Sequence, residues 1–85
     1  MTRAVVEMLG ADPAIWCPGC KCLHKFDARW AWNGDAMRPT FTPSFLSHES
    51  GDVPRCHSFV TDGVIRFLAD CTHELAGKSV ALEAP

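Results

Sequence analysis

The sequence has no long apolar run, no internal repeat and no strong excess of one charge. Nothing in it approaches the about 18 consecutive apolar residues that a membrane-spanning helix needs, so we expect no membrane segment. The formal net charge is −2 and the basic residues are scattered, which makes nucleic acid an improbable partner. Heptads and low-complexity tracts are missing as well, so a coiled coil or a disordered tail is not expected.

The chain also lacks an apolar leader ahead of its first cysteine, and its number of cysteines, five, is odd. Both features favour reduced thiols over a complete set of disulfides. Its 85 residues, of which 47% are hydrophobic, leave room for one domain with a modest core. Domains of this size often need an added staple such as a metal. We therefore expect a single metal-binding β domain over residues 1–85, with residues 1–13 as an edge strand or arm.

The cysteines that are present follow a pattern typical of zinc sites. Cys17 and Cys20 are separated by Pro and Gly, which allows a tight turn that points both sulfurs at one ion. Tetrahedral zinc needs two more ligands, and later Cys/His doublets can supply them. The pattern predicts one zinc per chain, with Cys17, Cys20, Cys56 and Cys71 as ligands. The possible substitutes are His24 for a member of the first pair, and His57 or His73 for a member of the second.

The choice of the two later cysteines depends on a predicted hairpin. Asp62-Gly63 is a strong signal for a type I′ turn, because both positions tolerate positive φ. The resulting register pairs Thr61 with Val64, Val60 with Ile65, Ser58 with Phe67 and Cys56 with Ala69. Cys56 and Cys71 then lie on the apolar face at the open end of the hairpin, whereas His57 and Asp70 lie on the wetter face.

The remaining sequence reads as short strands divided by turns. Residues 3–9 and 79–82 predict strands, and residues 72–77 predict a single helical turn that ends at Gly77. Residues 39–46 are extended but contain two prolines, so this strand must lie at an edge or carry a bulge. The predicted fold is a small, mainly-β, zinc-ribbon-like domain of metal-stapled hairpins with one short helical turn.

Enzymatic interpretations have weaker support from the sequence. The Cys-Pro-Gly-Cys segment is followed by a strand-like alternation, not by the helix of a thioredoxin-like redox site. Zinc deaminases need an upstream His-x-Glu, which the chain does not contain. Ser44 and Ser58 lack the strand–turn–helix context of a nucleophile elbow. An open catalytic zinc remains an alternative, with Asp70, His73 or Glu74 as acid or base, although a capped helical turn is the favoured explanation of those three residues. Cys22 is expected in the core and His48 in a solvated loop.

Taken in order, the motifs resemble a family of small Cys/His-containing proteins of tailed bacteriophages and prophages, some of which are labelled ammonia monooxygenase. The matching segments are Trp16 to Cys20 with His24, Trp30 to Asp35, Pro39 to Ser44, Cys56 to Gly63 and Asp70 to Gly77. The monooxygenase label has no physical basis here, because that chemistry requires a membrane-embedded metalloenzyme. The resemblance implies a phage or prophage origin and a location in the host cytoplasm or the virion. It also includes His24, His57, Asp70 and His73 in the family pattern, which leaves a supporting or catalytic role open for them.

The leading hypothesis from the sequence is a phage-encoded, non-enzymatic zinc module that binds a protein partner, either a host factor or a virion component. A small zinc-dependent hydrolase with an open metal position is the first alternative. A nucleic-acid-binding zinc ribbon is the second. An oligomeric state is not predicted.

Overall fold

The structure is a computed structural model that describes residues 4–85. Two antiparallel sheets account for all of its regular structure, and no helix occurs in that range. The first sheet has the strand order β1-β2-β3, and the second has the order β4-β5-β6-β7-β8. The strands are β1 (Val6–Leu9), β2 (Asp12–Cys17), β3 (Cys22–Lys25), β4 (Ala31–Trp32), β5 (Phe41–Ser47), β6 (Cys56–Thr61), β7 (Val64–Phe67) and β8 (Ser79–Ala81). A helix that could cross a membrane is therefore not found among these residues. The prediction of a small, mainly-β, zinc-ribbon-like domain is confirmed.

The core lies between the two sheets and is rich in aromatic side chains. Phe26, which follows β3, stacks on Phe41 of β5 with ring centroids 4.0 Å apart and nearly parallel planes. Trp30 packs edge-on against Phe26 at 5.3 Å. Such stacked and edge-on pairs stabilise a core beyond the area that they bury. Ile15, Val60, Ile65 and Phe67 are further large side chains that are almost completely buried in this core.

The predicted hairpin is present with its register. β6 and β7 pair Ser58 with Phe67, Val60 with Ile65 and Thr61 with Val64. Asp62 and Gly63 have φ of 51° and 80°, as a type I′ turn requires. The fourth predicted pair, Cys56 with Ala69, lies beyond this ladder, because β7 ends at Phe67. The inner face is buried and the outer face is exposed, so the predicted assignment of faces is correct for these strands.

Three other segments refine the predictions. β1 is an edge strand as expected, although residues 1–3 of the predicted edge strand or arm lie outside the described residues. β5 is an interior strand, and it carries an irregular segment between Phe41 and Phe45, which corresponds to the bulge that its prolines predicted. The Thr42–Pro43 bond in this segment is cis. Residues 73–77 form turns and not the predicted helical turn, with the Ala76 N–H donating to the His73 carbonyl.

Candidate functional site

The turn between β2 and β3 folds around the sulfur of Cys17. The Cys20 N–H donates to Cys17 Sγ at 3.3 Å, and the Lys21 N–H donates to the Cys17 carbonyl at 2.7 Å. Lys21 has a φ of 57°, the left-handed conformation that closes this turn. The predicted tight turn is thus present, and the sulfurs of Cys17 and Cys20 face the same cluster.

The first half of the chain meets the second half at these sulfurs. Donor atoms of Cys17, Cys20, His24 and Cys56 all lie within 4.8 Å of one another. The Cys17 and Cys56 sulfurs are 3.9 Å apart, and every cysteine is a free thiol. Cys17, His24 and Cys56 are buried, whereas Cys20 is half-buried. Four soft donors that converge in this way could hold a metal ion.

Cys71 and His73 form a second group with Cys56, again with donor atoms within 4.8 Å of one another. Cys56 therefore belongs to both groups, while Cys71 is not among the four donors around Cys17. The fourth donor near Cys17 is His24, which the sequence offered as a substitute ligand. His57, the other substitute for a late ligand, belongs to neither group. His73 lies against the Cys17–Cys20 turn so closely that a Cβ at Gly19 would overlap its ring.

Two buried imidazole nitrogens of this region lack partners within the described chain. Nε2 of His24 and Nε2 of His73 are buried without a hydrogen bond, and the Leu75 N–H donates to the other His73 nitrogen at 3.2 Å. A buried imidazole nitrogen without a partner is costly, and a metal ion would satisfy it. The donors present therefore fit a metal of the kind that binds thiolate and imidazole.

The thiols of this cluster differ in acidity: the pKa of Cys17 is lowered, and the pKa values of Cys20 and Cys56 are raised. The hydrogen bond with Cys56 lowers the pKa of the Cys17 thiol, even though burial opposes this shift. The same hydrogen bond, together with burial, raises the pKa of Cys56, and burial raises the pKa of Cys20. One negative charge is thus stabilised at Cys17 while the neighbouring thiols resist a second charge. A bound cation would remove that resistance, since metal ligands must be thiolates.

A second arrangement of functional side chains lies on the outward face of the five-stranded sheet. Ser44 Oγ is 3.4 Å from His57 Nε2, and His57 Nδ1 is 3.2 Å from each carboxylate oxygen of Asp70. This is the order of contacts in a Ser–His–Asp triad: nucleophile, base and orienting acid. Distances of this size are usual for a triad without substrate.

The chemistry of Asp70 fixes the tautomer of His57. Partial desolvation acts to raise the pKa of the Asp70 carboxyl, but the hydrogen bond from His57 and the nearby charge of Arg55 help to hold this pKa below its ordinary value. An ionised carboxylate can only accept hydrogen bonds, so Nδ1 of His57 carries the proton that it donates to Asp70. Nε2 is then the free acceptor, and the Ser44 hydroxyl can donate to it. This is the arrangement that a general base needs.

The position of Ser44 follows from the irregularity of β5. Phe41 pairs with Val60 and Phe45 pairs with Ser58, so β5 contains two more residues than β6 between these points. Bulges of this kind redirect a side chain and are common beside active sites. The Trp30 indole N–H donates to the Ser44 carbonyl at 3.3 Å, which ties this segment to the core.

Two pairs of sequence neighbours divide between the cysteine cluster and the triad. At the start of β6, strand alternation points Cys56 inward and His57 outward. In the turn region after β7, Asp70 is exposed and Cys71 is buried. The His57 N–H donates to Cys71 Sγ at 3.2 Å. The Arg55 guanidinium lies 3.4 Å from Asp70 Oδ2 as an ion pair. The Cys/His cluster therefore supports the backbone that positions the base and the acid.

Sequence reasoning rejected Ser44 as a nucleophile for lack of a nucleophile elbow. It offered His57 as a substitute ligand and Asp70 as a helix cap or as an acid or base, and it left a catalytic role open for both without joining them to a serine. Cys22, which it placed in the core, is exposed, because it lies at the turn end of the edge strand β3. His48 is exposed, as expected. The usable signal for the triad was the shared outer face of His57 and Asp70, but no sequence pattern placed a serine beside them.

Fold and site together define a small all-β domain with a Cys/His cluster on its inner side and a Ser–His–Asp arrangement on its outer side. One protein-family model matches residues 3–68, and that family is described as the bacterial ubiquitination-like system serine protease (BubE). The match covers well over half of the chain, and the chain belongs to this family. It includes Ser44 and His57 and ends just before Asp70. No curated protein and no solved structure matches the chain. The phage or prophage origin and the location in host cytoplasm or virion stay predictions.

Proposed function

We propose that the chain is a serine protease in which Ser44 is the nucleophile, His57 the general base and Asp70 the residue that orients the base. The observation that carries this proposal is the continuous set of contacts from Ser44 Oγ through His57 to the Asp70 carboxylate. The family description, a serine protease, supports it independently of that geometry. This proposal takes precedence over the non-enzymatic module that the sequence favoured.

The proposed reaction is acyl transfer through the Ser44 hydroxyl. Ser44 Oγ attacks the substrate carbonyl while His57 Nε2 takes the hydroxyl proton. The tetrahedral adduct collapses as His57 gives that proton to the leaving amine or alcohol, and an acyl-enzyme remains on Ser44. Water, deprotonated by His57, then releases the acid and restores the hydroxyl.

We further propose that the Cys/His cluster binds one zinc ion per chain in a closed, structural site. Thiolate and imidazole donors suit zinc, and four of them converge around Cys17. Three of these four residues are buried, on the opposite side of β6 from His57. The zinc therefore stabilises the fold and takes no part in the reaction. This arrangement is unfavourable for the open zinc hydrolase that the sequence left as an alternative.

The protein partner expected from the sequence becomes a substrate under this proposal. The family description names a ubiquitination-like system, so the scissile bond is an amide or ester of a protein in such a system. Ser44 and His57 are half-buried on two neighbouring strands of one sheet, and an extended peptide can lie along such a sheet.

Labelling with a fluorophosphonate tests the proposal directly. The reagent is expected to modify Ser44 and no other serine, as read by intact mass and peptide mapping. Ser44→Ala should abolish labelling and lower peptide or ester hydrolysis by roughly 10³-fold or more, because the nucleophile is lost.

Ser47→Ala is the matched control, since Ser47 lies on the same strand but outside the triad. It should keep both labelling and hydrolysis. Hydrolysis that survives Ser44→Ala would contradict the proposal, and if its rate also changed with the identity of the metal, the zinc hydrolase would replace it.

A further inference from the structure

A cleft lies on the outward face of the five-stranded sheet, next to the triad. It has a volume of about 360 Å³ and is lined by Phe59, Thr61, Val64, Arg66 and Ser79, from the three strands β6, β7 and β8. Phe59 and Val64 leave 36% and 39% of their surface exposed, so the cleft has apolar walls that face solvent. An apolar cleft with one charged group is a common form of binding site.

Arg66 is the charged group of this cleft, and its charge is not neutralised. Within residues 4–85, no Asp or Glu oxygen lies within 4.0 Å of its guanidinium, whereas each of the other arginines in that range has such a partner. Those pairs are Arg29 with Asp27, Arg38 with Asp62, and Arg55 with Asp70 and Glu49. The Arg66 guanidinium instead lies over the Phe59 ring, 5.1 Å from its centroid. This stacking holds the guanidinium in place and leaves its edge free to bind a carboxylate.

The cleft lies close to the triad along β6. Phe59 is the next outward-facing residue after His57 on β6, about 7 Å further along the strand. Arg66 faces Phe59 across the ladder, which puts its strand position roughly 8 Å from that of His57. That is about the length of two extended residues, so a peptide with its scissile carbonyl at Ser44 can place a nearby side chain in the cleft.

We propose that the Arg66 cleft is a substrate subsite that takes an acidic side chain close to the scissile bond. The carboxylate of a substrate Glu or Asp binds the guanidinium edge, and its methylene groups pack on Phe59 and Val64. The proposal rests on the protease function assigned to Ser44, His57 and Asp70, and it adds a specificity that the triad alone does not supply.

The test compares two C-terminally amidated fluorogenic peptide sets that carry Glu or Gln at each position flanking the scissile bond. At one position the wild-type protein should cleave the Glu peptide about tenfold faster than the Gln peptide, as kcat/KM, because a hydrogen-bonded ion pair is replaced by a neutral contact. Arg66→Gln should bring this ratio to about one, because the ion pair that favours the Glu peptide is lost. In Arg66→Glu the cleft carries a negative charge, so this variant should cleave a peptide with Lys at that position faster than the Glu peptide.

Lys25→Gln is the control for loss of a positive charge, since Lys25 lies on β3 in the other sheet. It should leave the Glu/Gln ratio unchanged, and all variants should melt within a few degrees of wild type. Ser44-dependent cleavage with the same Glu/Gln ratio in wild type and Arg66→Gln would overturn the subsite but not the protease. Absence of Ser44-dependent cleavage for every peptide would overturn both.

Discussion

At the scale of single residues, neighbours in the sequence have divided roles. Cys56 is fully buried in the Cys/His cluster, and His57 beside it contacts Ser44 and Asp70 on the outer face. The alternation of side chains along an extended backbone produces this division without any special geometry. One short segment can thus stabilise the fold and take part in catalysis.

The proposed role of Asp70, which is to orient His57 and fix its tautomer, can be tested with the conservative substitution Asp70→Asn. In Asp70→Asn the charge that favours protonation at His57 Nδ1 is lost, and the side-chain amide can donate to that nitrogen. The imidazole would then present the wrong tautomer to Ser44. We expect kcat to fall by roughly 10²–10⁴-fold with a small change in KM, measured by steady-state kinetics on a peptide or ester substrate.

Asp52→Asn is the control, because Asp52 is an exposed carboxylate outside the triad. Its kcat should match that of wild type. Since Asp70 adjoins Cys71, metal content and melting temperature are measured on the same preparations. A full complement of metal with an unchanged kcat in Asp70→Asn would remove Asp70 from the mechanism.

At the scale of elements, the sequence predicted local pairings better than distant ones. The β6–β7 register follows from the two-residue turn Asp62-Gly63, whose conformation is set by its own residues. Its correct faces put Cys56 inward and His57 outward. The predicted register was therefore sufficient to place Cys56 on the buried side, where it meets the Cys17–Cys20 turn, because the hydrophobic pattern determines which face is buried.

The β5–β6 pairing could not be obtained in the same way. The sequence indicated a bulge or an edge from the prolines, but the number of extra residues determines which side chain meets His57. With two extra residues in β5, Ser44 reaches Nε2. Ser44 also lies within a strand, whereas a serine nucleophile was expected from the sequence at a strand–turn–helix junction. The triad therefore depends on a register that no local pattern encodes.

The proposed ligand set joins β2, β3 and β6 and can be tested ligand by ligand. With Cys17, Cys20, His24 and Cys56 as ligands, we expect Cys17→Ser and His24→Gln to lower metal content well below one ion per chain. Cys71→Ser should retain about one ion, because Cys71 is not among those four donors. Native mass spectrometry with metal analysis measures these contents, and thermal melting measures the accompanying loss of stability.

Cys22→Ser is the matched control, since Cys22 is an exposed thiol outside both donor groups. It should keep both the metal and the melting temperature of wild type. Loss of metal in Cys71→Ser with full retention in His24→Gln would instead support the four-cysteine set predicted from the sequence.

At the scale of the whole molecule, the Cys/His cluster joins two small sheets that would have limited stability apart. The aromatic core is modest for 85 residues, and domains of this size often need a metal or another staple. The ends of β2 and β6 meet at this cluster, and the backbone of β6 also carries His57. Under the proposed function, stability and catalysis are therefore coupled through one strand, although the Cys/His cluster and His57 lie on its opposite sides.

This coupling predicts how metal removal and replacement affect activity. A chelator should abolish hydrolysis and fluorophosphonate labelling together with the folded state, as read by near-UV circular dichroism and melting. Refolding with Co²⁺ or Cd²⁺ in place of Zn²⁺ should restore kcat to within about twofold, because thiolate-rich sites accept these ions and a structural metal does not contact the reacting atoms. A kcat or pH profile that changes with the identity of the metal would show that the metal acts in the reaction. In that case Ser44 could not be the whole of the catalytic machinery.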